Sequence, residues 1–161
     1  MLLGRVRQAV PGDQSALRAV RLRALSDTPD AFGSTYAREV ARTPADWERW
    51  LAPGATFLLE DSAGPKGLVA GLRDETDRTL VHLVSMWVDP ELRGTGAAGE
   101  LVHALLSWAR SVAADEVRLL VIESNGRARR FYERLGFRLT GRETVRERDG
   151  AVELEMRAPV G

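Results

Sequence analysis

The stretch from Val88 to Gly99, which reads V-D-P-E-L-R-G-T-G-A-A-G, decides the fold of this chain. It follows a nearly unbroken apolar run that begins at Leu80, and it precedes a segment with helical periodicity. Small residues at Gly94, Gly96 and Ala98 let a ligand approach the backbone closely. The helix that follows directs its unpaired N–H groups and the positive end of its dipole toward that ligand. We therefore expect a phosphate or pyrophosphate here, with a tight structural turn as the alternative.

Hydrophobic periodicity across the 161 residues predicts the order β-α-α-β-β-β-α-β-α-β-β, a mixed sheet with helices on both faces. The predicted strands are residues 5–10, 56–60, 68–72, 80–88, 117–122, 137–142 and 151–156. The predicted helices are residues 14–28, 44–51, 96–113 and 127–135. Asp13 is expected to cap the first helix, and Thr43 to Asp46 resembles a capping box. Turn residues occupy 62–67 and 149–150.

Composition excludes several classes of protein. The chain has no cysteine, so a disulfide framework, a thiolate nucleophile and cysteine-ligated metal sites are ruled out. Two histidines, His82 and His103, are too few for a histidine metal site. A formal net charge of +0 provides no general attraction to nucleic acid or anionic membranes. With no signal peptide and no membrane-spanning stretch, we expect a single cytoplasmic domain over residues 1–161.

The three glycines Gly94, Gly96 and Gly99 spell G-x-G-x-x-G, which raises the alternative of a dinucleotide-binding fold. The context disagrees, because five residues separate the end of the preceding strand from the first glycine. In addition, the chain ends in a predicted hairpin rather than in further βα units. A nucleoside triphosphate loop is excluded, because no Lys-Ser or Lys-Thr pair follows the glycines.

Taken as Arg93-x-x-Gly96-x-Ala98, the same segment resembles the Q/R-x-x-G-x-G/A motif of the GCN5-related N-acetyltransferase (GNAT) superfamily. The stretch from Asn125 to Phe137 resembles that superfamily's second motif, N-x-x-A-x-x-F/L-Y-x-x-x-G-F. The resemblance implies a mostly antiparallel sheet with two splayed parallel strands. It also implies transfer of an acetyl group from acetyl-CoA to a primary amine by direct attack. A catalytically inactive acyl-CoA-binding module is the alternative.

The resemblance also implies where acetyl-CoA binds. The backbone of the strand would contact the acetyl group and the pantetheine arm, and the glycine loop would hold the pyrophosphate. The second motif would also contact the pantetheine arm. The cofactor-binding residues so implied are Met86, Trp87, Val88, Arg93, Gly94, Thr95, Gly96, Ala97, Ala98, Asn125, Ala128 and Phe131.

Two residues are implied in proton transfer. Tyr132 matches a tyrosine that in many family members protonates the departing thiolate, although packing alone could explain it. His82 stands where several members have a basic glutamate, and histidine titrates in the useful range. A structural histidine, Glu123 as the base, and a chain of waters are the alternatives.

The acceptor is expected between the first helices and the final hairpin. The loop from Pro29 to Thr35 and the acidic side chains of Asp30 and Glu39 are candidates for amine contact. Aromatic residues nearby would supply apolar surface to the acceptor, although core packing explains them equally well. They are Phe32, Tyr36, Trp47 and Trp50. The arginines near the C-terminus indicate a solvated face, with one or two of them available for the 3′-phosphate of CoA. The partner is therefore a small-molecule or peptide amine, no nucleic acid or membrane is expected, and the hairpin edge would permit a homodimer.

Overall fold

A computed structural model describes residues 4–160, which form one seven-stranded sheet in the order β1-β2-β3-β4-β5-β7-β6. The strands are β1 (Arg5–Gln8), β2 (Thr56–Asp61), β3 (Gly64–Arg73), β4 (Leu80–Val88), β5 (Glu116–Ile122), β6 (Arg138–Val145) and β7 (Val152–Pro159). The helices are α1 (Gln14–Asp27), α2 (Tyr36–Val40), α3 (Pro44–Leu51), α4 (Ala97–Ser111) and α5 (Gly126–Arg134). Among the strands of residues 4–160, only β4 and β5 pair in parallel. The predicted mixed sheet with helices on both faces is confirmed.

The two faces of the sheet carry separate apolar cores. On one face α4 packs through Leu101 and Leu105, together with α5, against inward residues of β2 to β5 and β7. On the other face α1 and α3 pack against Leu58, Leu68 and Trp87. Helices cover the second face only over β2 to β4, because α1 contacts β3 and β4 there and Leu120 of β5 is 49% exposed. The β5–β7 part of this face is therefore open.

The parallel strands β4 and β5 separate toward their carboxyl ends. They are paired from Leu80 opposite Glu116 to His82 opposite Arg118, and no later residues of the two strands are in register. Three residues beyond His82, Ser85 has a φ of +61°, at the place where the β3–β4 register shifts. Such a bulge bends a strand and increases its twist, which carries β4 away from β5.

Several local predictions need correction. Asp13 does not cap α1 through its side chain, because its carboxylate accepts hydrogen bonds from Arg7 and from the backbone N–H of Val10. The turn predicted over 62–67 is shorter, since β3 begins at Gly64. Helix α2 was not predicted, because five residues are too few to establish a periodicity. The capping box at Thr43 and Asp46 is confirmed.

Between residues 4 and 160, no helix has both the length and the apolar character needed to cross a membrane.

Candidate acyl-CoA site

The glycine loop presents a row of unused backbone donors. Gly94 and Gly96 have φ angles of +82° and +90°, a left-handed conformation that glycine adopts without strain. Within residues 4–160, the N–H groups of Gly94, Gly96, Ala98 and Gly99 donate to no acceptor. These groups lie at the N-terminus of the 15-residue helix α4, where the helix dipole favours an anion. These donors suit an anion, and the pyrophosphate site itself stays a prediction.

Arg93, the first residue of the motif, uses its side chain elsewhere. Its Nε donates to the carbonyl oxygen of Val88 at 3.0 Å, and its Nη2 donates to Oδ2 of Asp27 at 2.7 Å. The indole Nε1 of Trp87 donates to the same carboxylate at 3.0 Å. These hydrogen bonds, that from Trp87 being the strongest, lower the pKa of Asp27. Arg93 therefore joins the end of α1 to the end of β4 through Nε and Nη2, and its assignment to the cofactor stays a prediction.

The end of β4 supplies backbone rather than side chains to the gap between the parallel strands. Met86 packs partly buried toward α4, while Trp87 is buried on the α1 face and Val88 in the core beneath α4. Adjacent residues pack on opposite sides of the sheet, so their main chain is what borders the gap. The predicted backbone contacts of these residues with an acyl arm stay a prediction.

The second motif forms the first turns of α5. Asn125 occupies the N-cap, where its Oδ1 accepts from the N–H of Ala128 at 3.1 Å. The side-chain oxygen thus serves the helix, which leaves the amide N–H₂ for a ligand. Ala128 and Phe131 are partly buried against the core under α4 and α5. Thr95 and Ala97, also predicted to bind the cofactor, complete the glycine loop, where Thr95 Oγ1 bonds to the Leu92 carbonyl.

Tyr132 is buried, with 8% of its surface exposed. Its ring makes edge-to-face contacts with Phe131 and Phe137, at centroid distances of 5.1 and 5.7 Å. The hydroxyl group forms no hydrogen bond within residues 4–160, and burial raises the pKa of Tyr132 well above its ordinary value of 10. At neutral pH the side chain is therefore a neutral phenol.

His82 is positioned by a carboxylate. Its Nε2 lies 2.9 Å from Oδ1 of Asp74, in the connection between β3 and β4. Hydrogen bonds, the largest from His82, hold the pKa of Asp74 well below its usual range. His82 lies at the closed end of the β4–β5 gap, about 10 Å before the bulge at Ser85 for a strand rise of 3.3 Å per residue.

In the described chain no group of three His, Cys, Asp or Glu could hold a metal ion.

Glu39 is not available to an acceptor, so that prediction is wrong. Its side chain is 1% exposed and forms a bidentate ion pair with Arg21, at 2.8 and 2.7 Å. Although burial opposes ionisation, the bonds from Arg21 lower the pKa of Glu39. Phe32 and Trp47 are also buried, in the α1–α3 core, so core packing was the correct interpretation for them. Tyr36, 47% exposed, remains at the surface.

Arginines of the β6–β7 hairpin hold the loop that follows α1. Arg146 is 8% exposed, forms an ion pair with Asp149, and donates to the carbonyl oxygens of Asp30 and Phe32. Arg148 also donates to the carbonyl oxygen of Phe32, at 2.6 Å. We predicted a solvated face for most of these arginines, and Arg146 is an exception. The Arg-x-x-Asp spacing at the hairpin turn was the available sequence signal.

The site thus combines a parallel strand pair that opens beside a glycine loop with a buried tyrosine on the adjoining helix α5. The chain belongs to the acetyltransferase (GNAT) family, whose sequence profile matches residues 22–137. It is 36% identical to mycothiol acetyltransferase from Thermobispora bispora over 138 residues, which are 83% of this chain and 46% of that relative. The chain thus spans about half the length of the curated relatives it matches first.

Solved structures share the fold. A GNAT-family acetyltransferase from Streptococcus pneumoniae superposes with a TM-score of 0.82 at 19% identity, over 98% of this chain and 99% of that one. YncA from Salmonella typhimurium, determined with its cofactor acetyl-CoA, has a TM-score of 0.78 at 18% identity, over 98% and 94% of the two chains. The GNAT membership and the splayed strands expected from the two motifs are therefore confirmed, and the dinucleotide-binding fold is excluded.

Proposed function

We propose that the chain is an N-acetyltransferase that moves an acetyl group from acetyl-CoA to a primary amine by direct attack. The separation of β4 and β5 beyond His82 and Arg118 carries this proposal. It leaves main chain at the end of β4 without a β5 partner, which suits the amide groups of a pantetheine arm. Family membership and the name of the mycothiol acetyltransferase relative support the same reaction class.

The two ends of the gap suit the two ends of such a substrate. Unpaired N–H groups at Gly94, Gly96 and Ala98 offer donors to a pyrophosphate. The bulge at Ser85 and Met86 lies on β4 before its last residue, Val88, and there it would contact the thioester of the same ligand. In acetyl-CoA a pantetheine arm joins the thioester to the pyrophosphate, so a single ligand would use both features.

The thioester supplies an activated acyl carbon. Side chains of the protein donate and accept the protons that move during the transfer. We assign Tyr132 as the general acid, which gives its phenolic proton to the sulfur as the C–S bond breaks. We assign His82, oriented by Asp74, as the group that takes a proton from the amine through water. Direct attack needs no nucleophile from the protein, which agrees with the absence of cysteine.

Calorimetric titration with acetyl-CoA, with NADH as the control ligand, tests the binding part of the proposal. Saturable binding of acetyl-CoA alone is the expected result. Release of CoA thiol in the presence of an amine panel then tests the transfer. Binding without amine-dependent release would identify an acyl-CoA-binding module instead, and no binding would reject both functions.

A further inference from the structure

The face of the sheet from which an acceptor approaches follows from the packing. Both the glycine loop and Tyr132 belong with α4 and α5, which cover one face. On the opposite face the β5–β7 half of the sheet is open, as the exposed Leu120 shows. An amine that reaches the gap between β4 and β5 therefore has access from this open face.

One carboxylate on the open face stands level with the bulge of β4. Ile122, the last residue of β5, is four residues beyond Arg118, as Met86 is four beyond His82. On the neighbouring strand β7, Glu153 is directly opposite Ile122. Paired strands lie about 4.8 Å apart, so Glu153 is one strand spacing from the gap.

Glu153 points to the open face because it alternates with buried neighbours. Leu154 and Met156 belong to the core under α4 and α5, so Glu153 and Glu155 project from the other side. The Glu153 side chain is partly buried and forms no hydrogen bond or ion pair with any residue from 4 to 160. Glu155, in contrast, accepts a hydrogen bond from the hydroxyl of Thr140 at 2.9 Å.

Three cations on this side of the sheet have acidic partners other than Glu153. Arg118 and Arg157, toward the closed end of the gap, both pair with Glu116. Arg146 is close enough for the charge of Glu153 to contribute to its raised pKa, but hydrogen bonds with Asp149 are the larger cause. A partly buried carboxylate without a cation of its own favours a cationic ligand.

We propose that Glu153 binds the ammonium group of the acceptor and orients its nitrogen toward the acyl carbon at the β4 bulge. This inference depends on the proposed function, and it assigns the acceptor contact that Glu39 cannot make. The ligand class is a primary alkylammonium ion whose charged end enters from the β5–β7 side.

The test measures amine binding without turnover. L-Lysine, cadaverine and a short peptide with a free N-terminus are each titrated calorimetrically into the protein–CoA complex. For E153Q we expect the affinity for the amine that binds best to fall roughly tenfold to a hundredfold, the usual worth of a hydrogen bond to a charged group. The affinity for CoA should stay unchanged.

E155Q is the matched control, since Glu155 lies two residues away on the same face and already has a partner. The inference is overturned if no amine binds the wild-type complex, if E153Q binds amines normally, or if E155Q or E123Q loses as much affinity. Where an amine turns over, E153Q should raise its KM more than it lowers kcat. A wild-type protein that binds no CoA rejects the proposed function itself, which separates that failure from a failure of Glu153.

Discussion

His82 on β4 and Arg118 on β5 are the last residues that hold the two parallel strands in register. Beyond this pair β4 passes through a bulge at Ser85, and the strands diverge. A continuous parallel ladder would satisfy every backbone group between them and leave no place for an extended ligand. The gap thus depends on where the pairing stops.

Tyr132→Phe removes the proposed acid and keeps the ring. We expect kcat for amine-dependent CoA release to fall by roughly 10² to 10⁴, the usual contribution of general acid catalysis. Affinity for acetyl-CoA should not change, because the edge-to-face contacts with Phe131 and Phe137 need only the ring. Intact turnover in this variant would show that Tyr132 only packs.

The same substitution should alter stability at alkaline pH. Burial raises the pKa of Tyr132 in the folded protein above the unfolded value of about 10. The contribution of the neutral phenol to the free energy of unfolding is therefore fully present below pH 10. As the pH rises above 10, the unfolded chain ionises first, and the free energy of unfolding should fall by about 1.4 kcal/mol per pH unit. Urea titrations between pH 9 and 11 should show this loss in the wild type and a smaller one in Tyr132→Phe.

Gly96→Ala should weaken acetyl-CoA binding although the added methyl group meets no atom within 4 Å. The cost arises from the φ of +90°, which is unfavourable for alanine by about 1 kcal/mol or more, so the loop would relax and displace its N–H groups. Gly99→Ala is the control, since its φ is helical and its Cβ would lie 4.0 Å from Leu135. Calorimetry should show weaker binding for the first variant only.

His82→Ala tests the proton acceptor. If His82 takes the proton, kcat for amine-dependent CoA release should fall by roughly 10² to 10⁴ in His82→Ala. Asp74→Asn should lower kcat in the same direction, because it replaces the carboxylate that bonds Nε2 at 2.9 Å. An unchanged kcat in both variants would remove His82 from the mechanism.

Glu39→Gln should destabilise the fold without affecting the acyl-CoA site. The pair with Arg21 is buried at both ends, and removal of one partner leaves an uncompensated charge, which typically costs 3–5 kcal/mol. The midpoint of urea unfolding should fall accordingly, while acetyl-CoA affinity at low temperature is retained. A loss of less than 1 kcal/mol would show that the ion pair contributes little.

Much of the fold could be predicted locally. The β4 strand, the α4 stripe and the capping box at Thr43 each depend on periodicity or on hydrogen bonds within a few residues, and the structure has all three. The two motifs also indicated the family, and Gly96, which the first motif requires, has a left-handed φ of +90° that glycine adopts without strain. Such signals are short-range, so they can be recognised along the chain.

Partners distant in sequence were decided only by the tertiary structure. Arg93 matched its motif, yet its guanidinium bonds Asp27, 66 residues away. Glu39 was a candidate for amine contact, yet the structure buries it in an ion pair with Arg21. Glu153 was one of two alternating glutamates, and only the β5–β7 register placed it beside the gap. A side chain's charge is a property of the sequence, whereas its dielectric surroundings and counter-ions are set by which strands and helices pack around it.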